Sequence, residues 1–237
     1  MIDKLKVKIF ADGAEIKEIE EMNGNPLIKG LTTNPTLMKK AGIINYKKFA
    51  HEVLNIVKEK PISFEVFSDD LVEMERQALK ISSWGENVYV KIPITNTKGI
   101  STHEIVRKLV KSEVKVNVTA VMTLEQVKLI STSLDPNIPN YVSVFAGRIA
   151  DTGIDPISII KESIKILKPI KSTELIWASP RELLNIFQAS NIGCHVITAT
   201  TEILRKLKLV GYDLSLYSLD TVKMFHKDAL DSNFQID

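Results

Sequence analysis

The sequence predicts an α/β fold: a single (β/α)8 TIM barrel with an extra C-terminal helix. Short β-branched segments alternate with longer amphipathic ones, eight short segments can be counted, and no linker or low-complexity tract divides the chain. Successive strand–helix units imply parallel strands with right-handed crossovers, and eight such units can close a barrel. We therefore expect residues 1–237 to form one domain. A doubly wound open sheet is the alternative, but no G-x-G-x-x-G follows the first strand.

The predicted elements follow in regular order. The strands fall near residues 6–12, 28–33, 62–67, 88–92, 116–121, 141–146, 174–179 and 194–199. Apolar residues at three- and four-residue steps predict helices at Tyr46–Lys58, Leu71–Ser82, Thr102–Lys111, Leu124–Ser131, Pro156–Leu167 and Arg181–Ala189. Ser179 before Pro180 indicates a helix start, and Gly193 a helix end. A last helix, around 218–230, follows the eighth unit.

Composition excludes several classes of protein. The 31 basic and 29 acidic residues give a net charge of +2, with the lysines spread through the chain, so we expect no nucleic-acid partner. The single cysteine, Cys194, cannot form an internal disulfide or a thiolate cluster, which favours a cytoplasmic location. No apolar run approaches the roughly 20 residues that span a bilayer, and the start lacks a signal-peptide pattern. The four histidines show no metal-ligand spacing, so we expect no metal site.

Polar residues cluster at the predicted strand ends, where a barrel of this kind carries its chemistry. Side chains alternate between the two faces of a strand, so Asn117 shares a face with Thr119, Ser143 with Phe145, and Trp177 with Ser179. If those faces point inward, the polar groups converge on one mouth. The candidates are Asp12, Thr33, Asn34, Glu65, Lys91, Asn117, Thr119, Ser143, Phe145, Arg148, Ser179 and Arg181.

Lys91 is the most informative of these residues. It interrupts an apolar strand between Val90 and Ile92, where an ammonium group is costly to desolvate. Desolvation favours the neutral amine, which can attack a carbonyl and form a Schiff base while Glu65 moves protons. The alternative is a structural lysine that reaches water or pairs with Glu65.

The other candidates also have structural alternatives. Asp12 could cap a helix that begins near Ala14, Asn34 could be a turn residue before Pro35, and Ser179 could be an N-cap. Arg148 and Arg181 could form an anion site or be solvated surface residues. Cys194 beside His195 suggests a nucleophile, but neighbouring strand residues face opposite ways, so structural burial is the better interpretation.

Five motifs in order resemble the short transaldolases, a group that includes the fructose-6-phosphate aldolases. They are LTTNPTL at Leu31–Leu37, VKIP at Val90–Pro93, NVTAVM at Asn117–Met122, SVFAGRIADTG at Ser143–Gly153 and ASPRE at Ala178–Glu182. The resemblance implies a (β/α)8 barrel with metal-free, cofactor-free Schiff-base chemistry.

The resemblance also implies a role for each candidate residue. Lys91 resembles the Schiff-base lysine, Asp12 the acid/base for carbon–carbon cleavage, and Glu65 the carboxylate that acts through a water held by Thr119. The substrate-binding positions are matched by Thr33, Asn34, Asn117, Ser143 and Phe145, and the sugar-phosphate clamp by Arg148, Ser179 and Arg181. Two departures from the family pattern are ADGA around Asp12 and the presence of Pro180 between Ser179 and Arg181.

Glu65 and Phe145 are similar to the residues of transaldolases, whereas the aldolases tend to carry Gln and Tyr there. The resemblance therefore implies transfer of a dihydroxyacetone unit from a ketose phosphate to an aldose phosphate, as in the pentose phosphate pathway. Aldolase-type cleavage and a non-catalytic sugar-phosphate-binding barrel are the alternatives. Donor, acceptor and oligomeric state, including a homo-oligomer, are left open, as is whether the last helix packs on its own barrel.

Overall fold

The computed structural model describes residues 2–232, and these form a closed barrel of eight parallel strands in sequence order. The strands are β1 Lys8–Asp12, β2 Ile28–Thr32, β3 Ile62–Glu65, β4 Val88–Pro93, β5 Val116–Val121, β6 Asn140–Val144, β7 Thr173–Trp177 and β8 Val196–Thr200. Strand β8 pairs with β1 and closes the barrel. The predicted fold class is confirmed.

Helices surround the barrel and follow the strands. They are α1 Ile16–Gly24, α2 Pro35–Lys40, α3 Tyr46–Ile56, α4 Leu71–Ser82, α5 His103–Lys111, α6 Leu124–Ser131, α7 Ala146–Ala150, α8 Ile157–Leu167, α9 Leu184–Asn191, α10 Thr201–Arg205 and α11 Leu214–Asp231. Two short 3-10 turns lie at Ile2–Lys4 and Lys206–Leu209. None of the helices within residues 2–232 is both long and apolar enough to cross a membrane.

The helix start predicted directly after β7 is wrong. Ser179 does not cap a helix, because its φ of 59° places it in the left-handed region, and helix α9 begins only at Leu184. The face predicted for Trp177 is also wrong. Trp177 packs in the core between sheet and helices, whereas its neighbour Ala178 belongs to the interior of the barrel.

The C-terminal helix is present but longer than predicted. It runs over Leu214–Asp231 instead of about 218–230, and Asp213 caps it by accepting hydrogen bonds from the backbone N–H groups of Ser215 and Leu216. Helix α11 buries no residue against its own barrel. Residues 1 and 233–237 of the predicted domain lie outside the described part of the chain.

The interior of the barrel divides into an apolar floor and a polar top. The floor contains Phe10, Tyr89, Tyr141, Ile176 and Val196, with the Tyr89 and Tyr141 ring centroids 4.4 Å apart. Gly30 makes room for this floor, since a Cβ atom there would lie 2.5 Å from the ring of Phe10. This floor closes the barrel below the polar side chains that lie at the carboxyl ends of the strands.

Candidate active site

A cavity of about 590 Å³ opens at the carboxyl ends of the strands. Of the predicted site residues, all but Thr33 and Asn117 line it. The lining residues from the prediction are Asp12, Asn34, Glu65, Lys91, Thr119, Ser143, Phe145, Arg148, Ser179 and Arg181. The period-two alternation on β1, β3, β4, β5 and β6 therefore brings distant parts of the sequence to one mouth.

Lys91 and Glu65 form a buried ion pair at the base of this cavity. Register places Glu65 of β3 directly beside Lys91 of β4, so both side chains point inward. The Lys91 Nζ atom lies 3.1 Å from Glu65 Oε1 and donates a 2.6 Å hydrogen bond to the carbonyl of Thr33. Lys91 is 8% exposed and Glu65 5%. The amine is thus paired, as the structural alternative expects, yet it also faces the cavity.

Burial controls the protonation of Glu65. Desolvation raises the pKa of its carboxyl group, while the charge of Lys91 and hydrogen bonds from Lys91 and Thr33 oppose the rise. A carboxyl group whose pKa is raised keeps its proton to a higher pH than usual, and it can donate that proton or take one up during a reaction. Glu65 is therefore suited to proton transfer beside the amine.

Thr119 lines the same cavity and carries a buried, unpaired hydroxyl. Its Oγ1 atom is buried and has no hydrogen-bond partner among the described residues. Thr119 lies within a bulge: β5 gains one residue relative to β6 between Val118 and Val121, and Ala120 has a φ of 61°. Bulges of this kind redirect side chains beside active sites. A buried hydroxyl in a polar cavity fits a bound water or a substrate oxygen.

Thr33 and Asn117 lie behind the cavity wall. The Asn117 amide donates a 3.0 Å hydrogen bond to Ser63 Oγ and accepts one of 2.7 Å from Ser143 Oγ, and its side chain is fully buried. The Thr33 hydroxyl lies 2.9 Å from both the Ser63 carbonyl and Glu65 Oε2. These two residues hold their neighbours in position in this structure and do not face the cavity.

Asp12 is bound to side chains and does not cap a helix. The Asn34 amide donates a 2.8 Å hydrogen bond to Asp12 Oδ2, and the Thr32 hydroxyl donates one of 2.7 Å to Oδ1. Helix α1 begins later, at Ile16 with Glu15 as its N-cap, so the capping alternative for Asp12 is wrong. Asn34 has two roles, since its Oδ1 atom also accepts a hydrogen bond from the N–H of Leu37 and caps α2.

Two arginines, Arg148 and Arg181, lie at the mouth of the cavity. Arg181 forms a bidentate ion pair with Asp151, with a distance of 3.0 Å from Nε to Oδ1. Arg148 is exposed and forms no ion pair with any residue in the 2–232 range. Gly147 lets the chain after β7 approach α7, since a Cβ atom there would lie 1.6 Å from the carbonyl oxygen of Ser179. Both arginines line the cavity with Ser179, an arrangement that fits an anionic group.

Cys194 and the histidines contribute nothing to this cavity. Burial raises the pKa of the Cys194 thiol to about 12, so the thiol is a poor nucleophile, as the structural interpretation predicts. His195 Nδ1 accepts a hydrogen bond from the N–H of Leu175. Over the described residues, no group of three or more His, Cys, Asp or Glu side chains is arranged to hold a metal ion.

The sequence model of the Transaldolase/Fructose-6-phosphate aldolase family matches residues 9–236. The chain belongs to this family. A protein named "Probable transaldolase" from Thermoplasma volcanium is 37% identical over 204 residues, 85% of this chain and 87% of that protein. Another of the same name, from Dehalococcoides mccartyi, is 34% identical over 85% of this chain and 90% of its own length.

Similarity among solved structures supports the fold. The crystal structure of 2,3-dimethylmalate lyase, described as a PEP mutase/isocitrate lyase superfamily member, covers 98% of this chain and 86% of its own with a TM-score of 0.55. At 12% identity, this likeness shows a shared barrel and nothing of the chemistry. Membership of the transaldolase/fructose-6-phosphate aldolase family instead makes the protein an enzyme of the transferase and aldolase type.

Several cavity residues of this family member were not predicted. Thr32, Thr198 and Thr200 line the mouth, and Asp151 holds Arg181. Thr32 lies inside the LTTNPTL motif, so the motif could have indicated that Thr32 belongs to the site. Thr198 and Thr200 lie in the strand VITAT, where threonine is an ordinary β-branched strand residue.

Proposed function

We propose that the protein is a transaldolase that transfers a dihydroxyacetone unit through a Schiff base on Lys91. The donor is a ketose phosphate, sedoheptulose 7-phosphate or fructose 6-phosphate, and the acceptor is an aldose phosphate, glyceraldehyde 3-phosphate or erythrose 4-phosphate. The observation that carries the proposal is the buried Lys91 amine, which faces a polar cavity and contacts a carboxyl group whose pKa is raised. This arrangement supports an amine that attacks a carbonyl.

The first step joins Lys91 to the substrate. The neutral amine attacks C2 of the ketose, and the C2 oxygen leaves as water once it has been protonated. Glu65 supplies that proton, and the Thr119 hydroxyl holds the departing water. The positions of these groups around one cavity support this division of roles.

The second step breaks the C3–C4 bond. Asp12 takes the proton of the C4 hydroxyl, the electrons of the bond move into the protonated imine, and an aldose phosphate leaves. The enamine then attacks the aldehyde carbon of the acceptor, whose oxygen receives the proton from Asp12. Because the imine is the electron sink, the reaction needs no cofactor or metal.

The remaining residues bind the sugar phosphate. Arg148, Ser179 and Arg181 form the phosphate clamp, Asn34 and Ser143 contact the sugar, and Phe145 forms a wall of the pocket. Thr33 and Asn117 support this set from behind, through Glu65 and through Ser143. We further propose that the enzyme works in the cytoplasm, within the pentose phosphate pathway, and has no nucleic-acid partner.

Helix α11 supports the proposal of a homo-oligomer. All of its residues but one are exposed, and among them are Leu214, Leu219, Val222, Phe225 and Leu230. An apolar helix face of this size is unfavourable in water unless something covers it. The barrel also exposes Val72, Ile154 and Leu184. A second copy of the chain therefore has apolar surface against which this helix could pack.

The test measures release of glyceraldehyde 3-phosphate from fructose 6-phosphate in a coupled assay, with and without erythrose 4-phosphate. Release that requires the acceptor supports the transaldolase, whereas release without it supports an aldolase. Lys91→Met is the blank, and activity in this variant would remove the Schiff-base proposal. Folded wild-type protein with neither activity would favour the non-catalytic barrel.

A further inference from the structure

Two buried threonine hydroxyls, one from each strand beside β1, form a chain of hydrogen bonds that ends at Asp12. Thr198 Oγ1 of β8 and Thr32 Oγ1 of β2 are 2.6 Å apart, and Thr32 Oγ1 is 2.7 Å from Asp12 Oδ1. Thr32 is 2% exposed and Thr198 7%. The side chains of both residues point into the barrel, one on each side of β1. The reaction steps above give neither hydroxyl a role.

Chemistry fixes the direction of these hydrogen bonds. An ionised carboxylate can only accept, so the one hydroxyl hydrogen of Thr32 points to Asp12. Thr32 then has only lone pairs to offer Thr198, and Thr198 must be the donor in the 2.6 Å contact. The other oxygen of Asp12 accepts from the Asn34 amide. Both Asp12 oxygens are therefore held as acceptors, which fixes the orientation of the carboxylate.

We propose that Thr198 is a positioning residue that acts on Asp12 through Thr32, an inference that rests on the proposed function. Donation from Thr198 polarises the Thr32 hydroxyl and strengthens its bond to Asp12. The chain fixes the orientation of the carboxylate that removes the C4 proton of the bound sugar. Thr198 touches none of the reacting atoms in this role. It affects carbon–carbon cleavage and leaves Schiff-base formation at Lys91 unchanged.

This separation of steps allows a direct test. Each protein is mixed with fructose 6-phosphate, reduced with borohydride, and analysed by mass spectrometry for the adduct on Lys91. An uncleaved imine gives a six-carbon phosphate adduct, whereas cleavage leaves a three-carbon adduct. The proteins compared are wild type, Thr198→Val, Thr32→Val, the double variant and Thr198→Ser. Thr173→Val is the matched control, because Thr173 is a buried strand threonine with no hydrogen-bond partner among the described residues.

We expect Thr198→Val to trap as much total adduct as wild type, but with the six-carbon form in excess. Its kcat should fall about tenfold with KM nearly unchanged, the effect of weakening one hydrogen bond to a charged group. Thr32→Val should lose more, and the double variant no more than Thr32→Val alone, because Thr198 acts only through Thr32. Thr198→Ser should recover most of the activity, and Thr173→Val should behave as wild type.

Three results would overturn the positioning role while the proposed function stands. These are wild-type cleavage in Thr198→Val, losses that multiply in the double variant, and a Thr198→Ser variant as slow as Thr198→Val. Absence of any adduct in the wild-type protein would instead overturn the proposed function, and this inference with it.

Discussion

At the scale of single residues, the protonation of Glu65 couples stability to pH. Its pKa is raised from 4.5 in the folded state, mainly by desolvation, so the folded protein holds this proton more tightly than the unfolded chain. The resulting stability is fully present below the unfolded pKa and is lost as pH rises through the folded pKa.

This pH dependence can be measured by urea unfolding of Lys91→Met and of the double variant Lys91→Met/Glu65→Gln. Both variants lack Lys91, so neither leaves a buried amine without its partner carboxylate. The free energy of unfolding of Lys91→Met, relative to the double variant, should be higher at pH 4 than at pH 7. Removing Lys91 also removes the main effect that opposes the rise in pKa, so the change is larger in this background. An equal difference at both pH values would contradict the raised pKa.

Glu65 also serves to test which reaction the site favours. Glu65→Gln keeps the side-chain shape and introduces the residue that the fructose-6-phosphate aldolases tend to carry at this position, so we expect activity to shift from transfer toward simple cleavage. The ratio of glyceraldehyde 3-phosphate released with and without erythrose 4-phosphate measures this shift. An unchanged ratio would count against the role assigned to Glu65.

At the scale of elements, the close approach of α7 to the chain after β7 holds the cationic side of the mouth. A Cβ atom at Gly147 would overlap the carbonyl of Ser179, which is backbone and cannot rotate away. We expect Gly147→Ala to cost roughly 1–3 kcal/mol of stability or more and to weaken binding of sugar phosphates, because Ser179 and Arg181 must move.

Thermal unfolding and KM for the phosphorylated donor measure the two effects of Gly147→Ala. Gly24→Ala is the control, since nothing lies within 4 Å of a Cβ atom at that position. If Gly147→Ala matched this control in both measurements, the close approach would have no importance for the site.

At the scale of the whole molecule, the exposed apolar face of α11 indicates a contact with another protein surface. We propose that residues 1–237 fold as one domain whose last helix packs on a second copy of the chain. Phe225→Glu should then lower the mass measured by light scattering after size exclusion, because it places a charge on the apolar face. Lys227→Glu, on the polar side of the same helix, should leave the mass unchanged. A wild-type monomer at tens of micromolar would contradict the proposal.

Much of the molecule could be predicted from the sequence because its signals are local. The positions of Glu65, Lys91 and Thr119 near the ends of predicted strands indicated that they lie at one mouth, and the structure places all three at the cavity. The argument from alternation failed for Trp177 and Ser179. The strand ends at Trp177, and the left-handed backbone at Ser179 breaks the period-two pattern on which the argument depends.

Periodicity and motif order are properties of neighbouring residues, and they were enough to predict the barrel, the order of its strands and ten of the residues that line its mouth. Which of those side chains face the cavity, and which support it, depends on how distant parts of the chain pack together. Thr33 and Asn117 turned out to lie behind the wall, and Thr198 to lie 2.6 Å from Thr32, a residue 166 positions away. Such contacts depend on strand register and barrel closure, which bring distant segments together and leave no mark in local sequence.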